Sequence, residues 1–350
     1  DVLLWDLQNP IPLAQRLDAG APVASVAIAA DGRTLAAGTS AGSVELWGAG
    51  GGERIWSSGA LPRPVTSVVL AMDGRTVTAS SQDGVIYRWD TAAAAEPLRL
   101  EAHAGSVDAL ATSPDGQTLA AGGADGMVRL WDLAQPAAPP SALAGHQGLV
   151  SAVAFSPEGT TLASGGADGA VRAWHLGDGG DPIVLEGQQG QIFSVAFRPR
   201  DVGTLVAGGR GLSFWDVATG QRISSLAVGS DATVYGVAFS PDGATLATAA
   251  ADGRITLWDM GTNLELGALN GHTAAARSVS YSDDGTLVSG GDDGTVLVWS
   301  ISTEAMLERA CRIANRNLTP EEWEELMLNR PDQTTCPEFA SGDAPVVATP

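Results

Sequence analysis

Residues 145–175 read GHQGLVSAVAFSPEGTTLASGGADGAVRAWH, and this stretch decides the fold. It contains three strand-sized runs, Val150 to Phe155, Thr161 to Ser164 and Ala170 to Trp174. The turns between them carry Glu158-Gly159 and Asp168-Gly169, and acidic-Gly pairs favour tight hairpins because both residue types tolerate a positive φ. A weaker run, Ile183 to Leu185, follows the tryptophan. The stretch therefore predicts one antiparallel unit of four strands.

The same unit recurs along the chain at intervals of 41 to 43 residues. Its clearest marker is a tryptophan near the end of the third strand, at Trp5, Trp47, Trp89, Trp131, Trp174, Trp215, Trp258 and Trp299. A four-stranded unit of this size cannot bury both of its faces alone, whereas radial stacking covers each sheet with its neighbours. Seven intervals predict an all-β fold, a seven-bladed β-propeller over residues 1–300.

The two ends of the repeat array make the blade count less simple. The run Leu13 to Leu17 has the character of an unpaired fourth strand, and we expect it to close the last blade beside the strand of Trp299. Trp5 duplicates the place that Trp299 would fill. An eighth, incomplete blade or an array that continues before Asp1 therefore remains an alternative. The chain begins inside a strand-like run, which indicates a piece of a longer protein.

Composition excludes several classes of function. The 350 residues include 40 acidic and 19 basic side chains, a net charge of −21, and every basic residue is arginine. Nonspecific nucleic-acid binding and binding to anionic membranes both need a basic face, so neither is expected. No apolar run approaches the ~18 residues of a membrane-spanning helix. The chain also lacks Cys-x-x-Cys pairs, phosphate-binding loops and EF-hand loops, so we expect no cofactor, no metal and no enzyme activity.

Three short motifs carry a family resemblance. Trp-Asp occurs at 5–6, 89–90, 131–132, 215–216 and 258–259, and Gly-His occurs at 145–146 and 271–272. Ser-Pro-Asp/Glu-Gly occurs at 113–116, 156–159 and 240–243. With these motifs the chain resembles the WD-repeat (WD40) family over residues 1 to about 300. The resemblance implies a propeller that binds partners on its top face, where the first strands begin.

The resemblance also implies a buried hydrogen-bond network of four residues in well-formed blades. The complete sets are His146, Ser164, Asp168 and Trp174, and His272, Ser289, Asp293 and Trp299. A third set, His103, Asp125 and Trp131, has Ala121 where the hydroxyl should be. A His-Ser-Asp trio also suggests a hydrolase. Because the trio recurs with the repeat, we interpret it as part of the scaffold rather than as a catalytic site.

The resemblance places two positions of each first strand on the top face, provided that the strand has a bulge there. On four consecutive blades these positions hold the partner-binding candidates Leu149, Phe193, Tyr235 and Arg277, and Asp292 completes the set. Aromatic and Arg side chains are frequent anchors of protein interfaces. We expect Arg277 to attract an acidic or aromatic partner group. The alternative is ordinary variation on a loop rim.

After residue 300 the pattern becomes helical. Ser302-Thr303 and the capping box Thr319 to Glu322 predict two short helices within a tail over residues 301–338, with 339–350 disordered. The apolar faces of these helices either pack on the propeller or dock a neighbouring domain. Cys311 and Cys336 form either a disulfide or two separate buried thiols. A disulfide would indicate an oxidising, extracytoplasmic compartment, and a cytoplasmic location is otherwise open.

The tail from Ala310 to Pro337 resembles the segment that ends WD-repeat arrays in large bacterial signalling proteins with a STAND-type NTPase. We therefore expect a non-enzymatic scaffold or sensor domain that binds protein partners, with an upstream NTPase or another effector domain in the parent chain. Two alternatives remain, namely a ligand-binding or catalytic propeller that uses its central channel, and a purely structural array.

Overall fold

The computed structural model describes residues 14–301, except for 94, 178–179, 187, 189, 202, 229–231 and 300. The chain divides into two compact units. One is Gln15–Val298, and the other combines Asp1–Ala14 with Trp299–Pro350. The predicted tail helices, the strand of Trp5 and the predicted Cys311–Cys336 disulfide lie outside the described residues.

Seven four-stranded antiparallel sheets make up the described part of the chain. The first strand of the chain is β1 (Ala14–Asp18). Blade 1 consists of β2 (Val23–Ile28), β3 (Thr34–Thr39), β4 (Ser43–Gly48) and β5 (Arg54–Ala60). Blade 2 consists of β6 (Val65–Leu70), β7 (Thr76–Ser81), β8 (Val85–Asp90) and β9 (Leu98–Glu101). Blade 3 consists of β10 (Val107–Thr112), β11 (Thr118–Gly123), β12 (Met127–Asp132) and β13 (Ser141–Ala144).

The remaining blades repeat this order. Blade 4 consists of β14 (Val150–Phe155), β15 (Thr161–Gly166), β16 (Val171–His175) and β17 (Ile183–Leu185). Blade 5 consists of β18 (Ser194–Phe197), β19 (Thr204–Gly209), β20 (Gly211–Asp216) and β21 (Gln221–Leu226). Blade 6 consists of β22 (Val234–Phe239), β23 (Thr245–Ala250), β24 (Ile255–Asp259) and β25 (Leu264–Leu269). Blade 7 consists of β26 (Ala276–Tyr281), β27 (Leu287–Gly291), β28 (Thr295–Trp299) and β1.

The first strands of successive blades neighbour one another in a closed ring, because β26 of blade 7 packs against β2 of blade 1. The predicted seven-bladed propeller is therefore confirmed for the described residues. Strand β1 lies beside β28, and its bounds are one residue later than the predicted Leu13 to Leu17. The Ala19 N–H, just after β1, donates to the Gly294 carbonyl at 2.9 Å.

The hydrophobic core lies between the blades rather than within them. Each sheet contributes one fully buried residue near the start of its second strand, and these are Leu35, Val77, Leu119, Leu162, Leu205, Leu246 and Leu287. The buried clusters join neighbouring blades; one of them combines Val171 and Leu185 of blade 4 with Leu205 and Trp215 of blade 5. Stability therefore depends on contact between blades, as expected when single sheets cannot cover themselves.

Glycines near the ends of second strands make this contact close. A Cβ at Gly165 would lie 2.4 Å from Ile192 Cγ2 of the next blade, and one at Gly290 would lie 2.5 Å from Val23 Cγ1. The Gly-Gly pairs at 165–166 and 290–291 are the last residues of β15 and β27, where the missing side chain admits the neighbouring blade.

No helix in the described part of the chain is long and apolar enough to cross a lipid bilayer. Between residues 14 and 301, the described side chains include no group of three or more His, Cys, Asp or Glu that could hold a metal ion.

Candidate functional site

A bulge near the start of each first strand shapes the centre of the propeller. In six blades the register against the second strand shifts at one extra residue, and these residues are Ala24, Thr66, Asp108, Ser151, Tyr235 and Arg277. Phe193 holds the corresponding place in blade 5, directly before β18. A bulge redirects the extra side chain. All seven side chains line one cavity of about 160 Å³, and we call this ring the channel mouth.

Small hydroxyl side chains at and beside the bulges connect neighbouring blades. Thr66 donates to the Val107 carbonyl of blade 3, and Ser151 donates to the Ile192 carbonyl just before blade 5. Ser278 accepts the Val26 N–H at 3.1 Å across the junction of blades 7 and 1. Serine and threonine at these positions therefore serve the scaffold.

Blades 5, 6 and 7 present a continuous stack of larger side chains at the channel mouth. The rings of Phe193 and Tyr235 meet edge to face, with centroids 5.1 Å apart. The Arg277 guanidinium carbon lies 4.3 Å from the centroid of Tyr235, a cation–π arrangement. All three side chains are half-buried, so each keeps a surface open to solvent.

Asp292 completes the stack from the turn after β27. Arg277 Nε donates to Asp292 Oδ1 at 2.9 Å, and Nη2 donates to Oδ2 at 2.6 Å. The side chains of Arg277 and Asp292 are 37% and 35% exposed. Arg277 was expected to attract an acidic or aromatic partner group. In the described structure its fork-shaped donor pair is already occupied by Asp292.

The structure thus brings four of the five partner-binding candidates into contact: Phe193, Tyr235, Arg277 and Asp292. The fifth, Leu149, is half-buried and does not line the cavity. Sequence analysis did not select Asp108 as a candidate. Its signal was a carboxylate at a position where neighbouring blades carry Thr66 and Ser151.

The His146 set forms a continuous chain of hydrogen bonds. Trp174 Nε1 donates to Ser164 Oγ at 2.8 Å, and Ser164 Oγ lies 2.8 Å from His146 Nε2. His146 Nδ1 lies 3.0 Å from Asp168 Oδ1. Ser164 is fully buried, which makes its hydroxyl inaccessible as a nucleophile.

Burial and hydrogen bonding favour a neutral His146 ring and an ionised Asp168 carboxyl group in this hydrogen-bond set. Burial lowers the pKa of His146 by more than the Asp168 carboxylate raises it, so the ring is neutral. Burial raises the pKa of Asp168, but the Gln147 N–H, His146 and the Ala170 N–H outweigh it and lower the pKa to about 2. The set therefore acts as a fixed connection between strands.

Blades 7 and 3 vary the same pattern. His272 Nε2 lies 2.7 Å from Ser289 Oγ, and its Nδ1 lies 3.1 Å from Asp293 Oδ1. Trp299, the fourth predicted member, is buried. In blade 3, His103 Nδ1 lies 2.8 Å from Asp125 Oδ1, but its buried Nε2 has no partner among the described residues.

Comparison with known proteins agrees with this architecture. The model of the WD domain, G-beta repeat, matches residues 96–132, 138–175, 220–259 and 264–300. Each match runs from the outer strand of one blade to the third strand of the next, so the sequence repeat is offset by one strand from the blade. WD40 repeats therefore occur in four places in the chain, and the described residues form a seven-bladed β-propeller.

One curated relative is Protein groucho of Drosophila melanogaster. It is 34% identical over 122 residues, which are 34% of this chain and 17% of the groucho chain. The chain therefore spans a small part of the length of this relative. WD40 propellers typically serve as protein-interaction scaffolds and are generally non-catalytic.

Proposed function

We propose that the protein is a non-enzymatic interaction scaffold or sensor that binds a protein partner at the channel mouth. The observation that carries the proposal is the stack of Phe193, Tyr235, Arg277 and Asp292. Contacts within the stack hold these side chains in place before any partner arrives. Rigid aromatic anchors lose little conformational freedom on binding, and this is how hot-spot residues gain affinity.

The stack supports a contact with apolar and aromatic partner groups rather than with an acidic one. Arg277 and Asp292 neutralise each other, while the side chains of Phe193 and Tyr235 remain half-buried. We keep Leu149, directly before β14 of the neighbouring blade 4, as a candidate at the edge of the interface. We place the centre of the interface at Phe193 and Tyr235.

A random peptide library displayed on phage tests this proposal with the full 350-residue chain as the target. Peptides selected on the wild type should bind Phe193→Ala and Tyr235→Ala about thirtyfold more weakly or worse, which corresponds to ~2 kcal/mol or more. Circular dichroism verifies that each variant is folded.

Matched controls come from the same two blades. Ile223→Ala in blade 5 and Leu264→Ala in blade 6 remove apolar side chains that are 57% and 66% exposed on outer strands. These variants should keep the affinity of the wild type. Peptides that bind the Phe193 and Tyr235 variants as tightly as the wild type would rule out the channel mouth as the interface.

The proposal extends to the setting of the domain. The tail resemblance from Ala310 to Pro337 supports a bacterial signalling protein in which an upstream STAND-type NTPase or another effector domain shares the chain with this propeller. The test is the coding sequence upstream of Asp1. A phosphate-binding Gly-x-x-x-x-Gly-Lys-Ser/Thr motif there supports the NTPase, whereas an upstream sequence without it contradicts that partner.

A further inference from the structure

One ionisable side chain at the channel mouth has no ion-pair partner among the described residues. Two charged side chains, Asp108 and Arg277, occur among the residues that line the cavity. Arg277 is neutralised by its two hydrogen bonds to Asp292. Asp108, in contrast, forms no ion pair within the described part of the chain, and it accepts a hydrogen bond from Ser106 Oγ at 2.5 Å. Asp108 is therefore the acidic residue of the mouth that has no ion-pair partner among the described side chains.

The surroundings of Asp108 make this charge costly for the folded protein. The residue is half-buried, and burial raises the pKa of its carboxyl group. A carboxylate taken out of water normally gains a cation or several hydrogen-bond donors in return. Among the described residues, Ser106 supplies a donor to this carboxyl group, and Asp108 also lines the cavity.

Asp108 also breaks a rule that the neighbouring blades follow. Thr66 and Ser151, at the same bulge position, donate to a carbonyl of the following blade. An ionised carboxylate is an acceptor only, so Asp108 cannot make this connection between blades 3 and 4. A residue that weakens local structure without compensation within the protein is a candidate functional residue.

We propose that Asp108 receives a basic side chain of the protein partner, inserted into the channel mouth. This inference rests on the proposed function, because the same partner segment would contact Phe193 and Tyr235, which line the same cavity. Asp108 accepts hydrogen bonds from the cationic head, and the aromatic pair contacts neighbouring apolar groups. The partner segment thus combines Lys or Arg with an apolar or aromatic residue.

Parallel selections with the phage library test the charge preference. The wild type should enrich Lys or Arg at one fixed place relative to an apolar residue, and the Asp108→Asn protein should lose that enrichment while retaining the apolar residue. Because the whole chain is acidic, Glu101→Gln serves as the control. Glu101 is 80% exposed on the outer strand β9, so this variant should enrich basic residues as the wild type does.

A synthetic peptide from the wild-type selection gives the quantitative test. Acetylation of its lysine, or replacement of its arginine by citrulline, removes the charge. This change should weaken binding to the wild type at least tenfold and leave binding to Asp108→Asn nearly unchanged. Equal losses in both proteins would overturn the role of Asp108.

Stability supplies a readout that needs no peptide. Asp108→Ser restores the side chain that blade 4 has at this position, so the variant should melt at a higher temperature than the wild type. The same variant should lose the preference for basic peptides. An unchanged or lower melting temperature would contradict a functional origin of the carboxylate.

Peptides that depend on Phe193 and Tyr235 without any basic enrichment would overturn this inference alone, whereas peptides independent of both rings would overturn the proposed function.

Discussion

The hydrogen-bond sets of His103 in blade 3 and His146 in blade 4 differ in one side chain, the one at position 121. Ser164 in blade 4 connects Trp174 to His146, and both of its contacts are 2.8 Å long. Blade 3 has the fully buried Ala121 at the same place. Because alanine has no hydroxyl, His103 Nε2 is left without a partner among the described residues. A buried polar atom without a hydrogen bond costs ~1–3 kcal/mol.

We expect Ala121→Ser to raise the free energy of unfolding by about 1 kcal/mol, because the new hydroxyl can donate to His103 Nε2. Urea unfolding monitored by tryptophan fluorescence measures the change. The reverse substitution in blade 4, Ser164→Ala, is the matched control and should lower stability by ~1–3 kcal/mol. A serine at 121 that leaves the unfolding midpoint unchanged would mean that His103 is already satisfied.

Residues that belong to the repeat were easier to predict than residues that depart from it. The resemblance to the WD40 family implied that His146, Ser164 and Asp168 belong to one hydrogen-bond set, because all three match the family's pattern. The pairing of Arg277 with Asp292 depends on where a bulge aims one side chain, and periodicity does not encode that direction. Asp108 can be read from the sequence, but only the three-dimensional contacts show that it has no cationic partner among the described residues.

Among the elements, the junctions between blades rest on the close approach of a second strand to the next first strand. Gly290 in β27 and Val23 in β2 form the junction that closes the ring. Because a Cβ at 290 would lie 2.5 Å from Val23 Cγ1, one of the two strands would have to move. Overpacking of this kind is destabilising in tightly packed cores.

Gly290→Ala should lower the free energy of unfolding by ~1–3 kcal/mol. The double variant with Val23→Ala should lose less than the sum of the two single variants, since the smaller side chain makes room for the new methyl group. Gly180→Ala is the control, because nothing lies within 4 Å of a Cβ there. Additive losses in urea titrations would show that the two strands are not in contact in solution.

Strand and turn positions followed from the acidic-Gly pairs, and the closing strand was displaced by only one residue. Two features escaped prediction for a physical reason. In the local sequence, a Gly-Gly pair indicates a turn. At Gly165, however, glycine is needed because Ile192 of another blade lies too close for a Cβ. In blade 5, Gly209 pairs directly with Gly211 in a hairpin that lacks the acidic-Gly pair.

For the molecule as a whole, three buried histidines link stability to pH. Burial is the largest cause that lowers the pKa of His103, His146 and His272 below the ordinary 6.5. In the unfolded chain these rings take up protons as the pH falls through that value, while in the folded protein they do so only at lower pH. The unfolded state then binds more protons, so stability is complete above about pH 6.5 and falls on acidification.

Each of the three histidines can contribute a slope of up to about 1.4 kcal/mol per pH unit below its unfolded pKa. Urea unfolding between pH 7.5 and 4.5 measures the slope, and a series at high salt screens the general repulsion of the acidic chain. Asp168 and Asp293, whose pKa values are about 2, lose their contribution only at lower pH. Stability that rises between pH 7 and 5 would contradict neutral buried rings.

The closing strand β1 also determines the order in which the molecule can be completed. Residues 19 and 294 are joined by a backbone hydrogen bond, so the last junction connects points far apart in sequence. Closure of so long a loop lowers the chain entropy before stabilising contacts can form. Topologies of this kind therefore fold slowly. During synthesis, β1 stays unpaired until β28 has left the ribosome. Blade 7 is therefore the last blade to be completed.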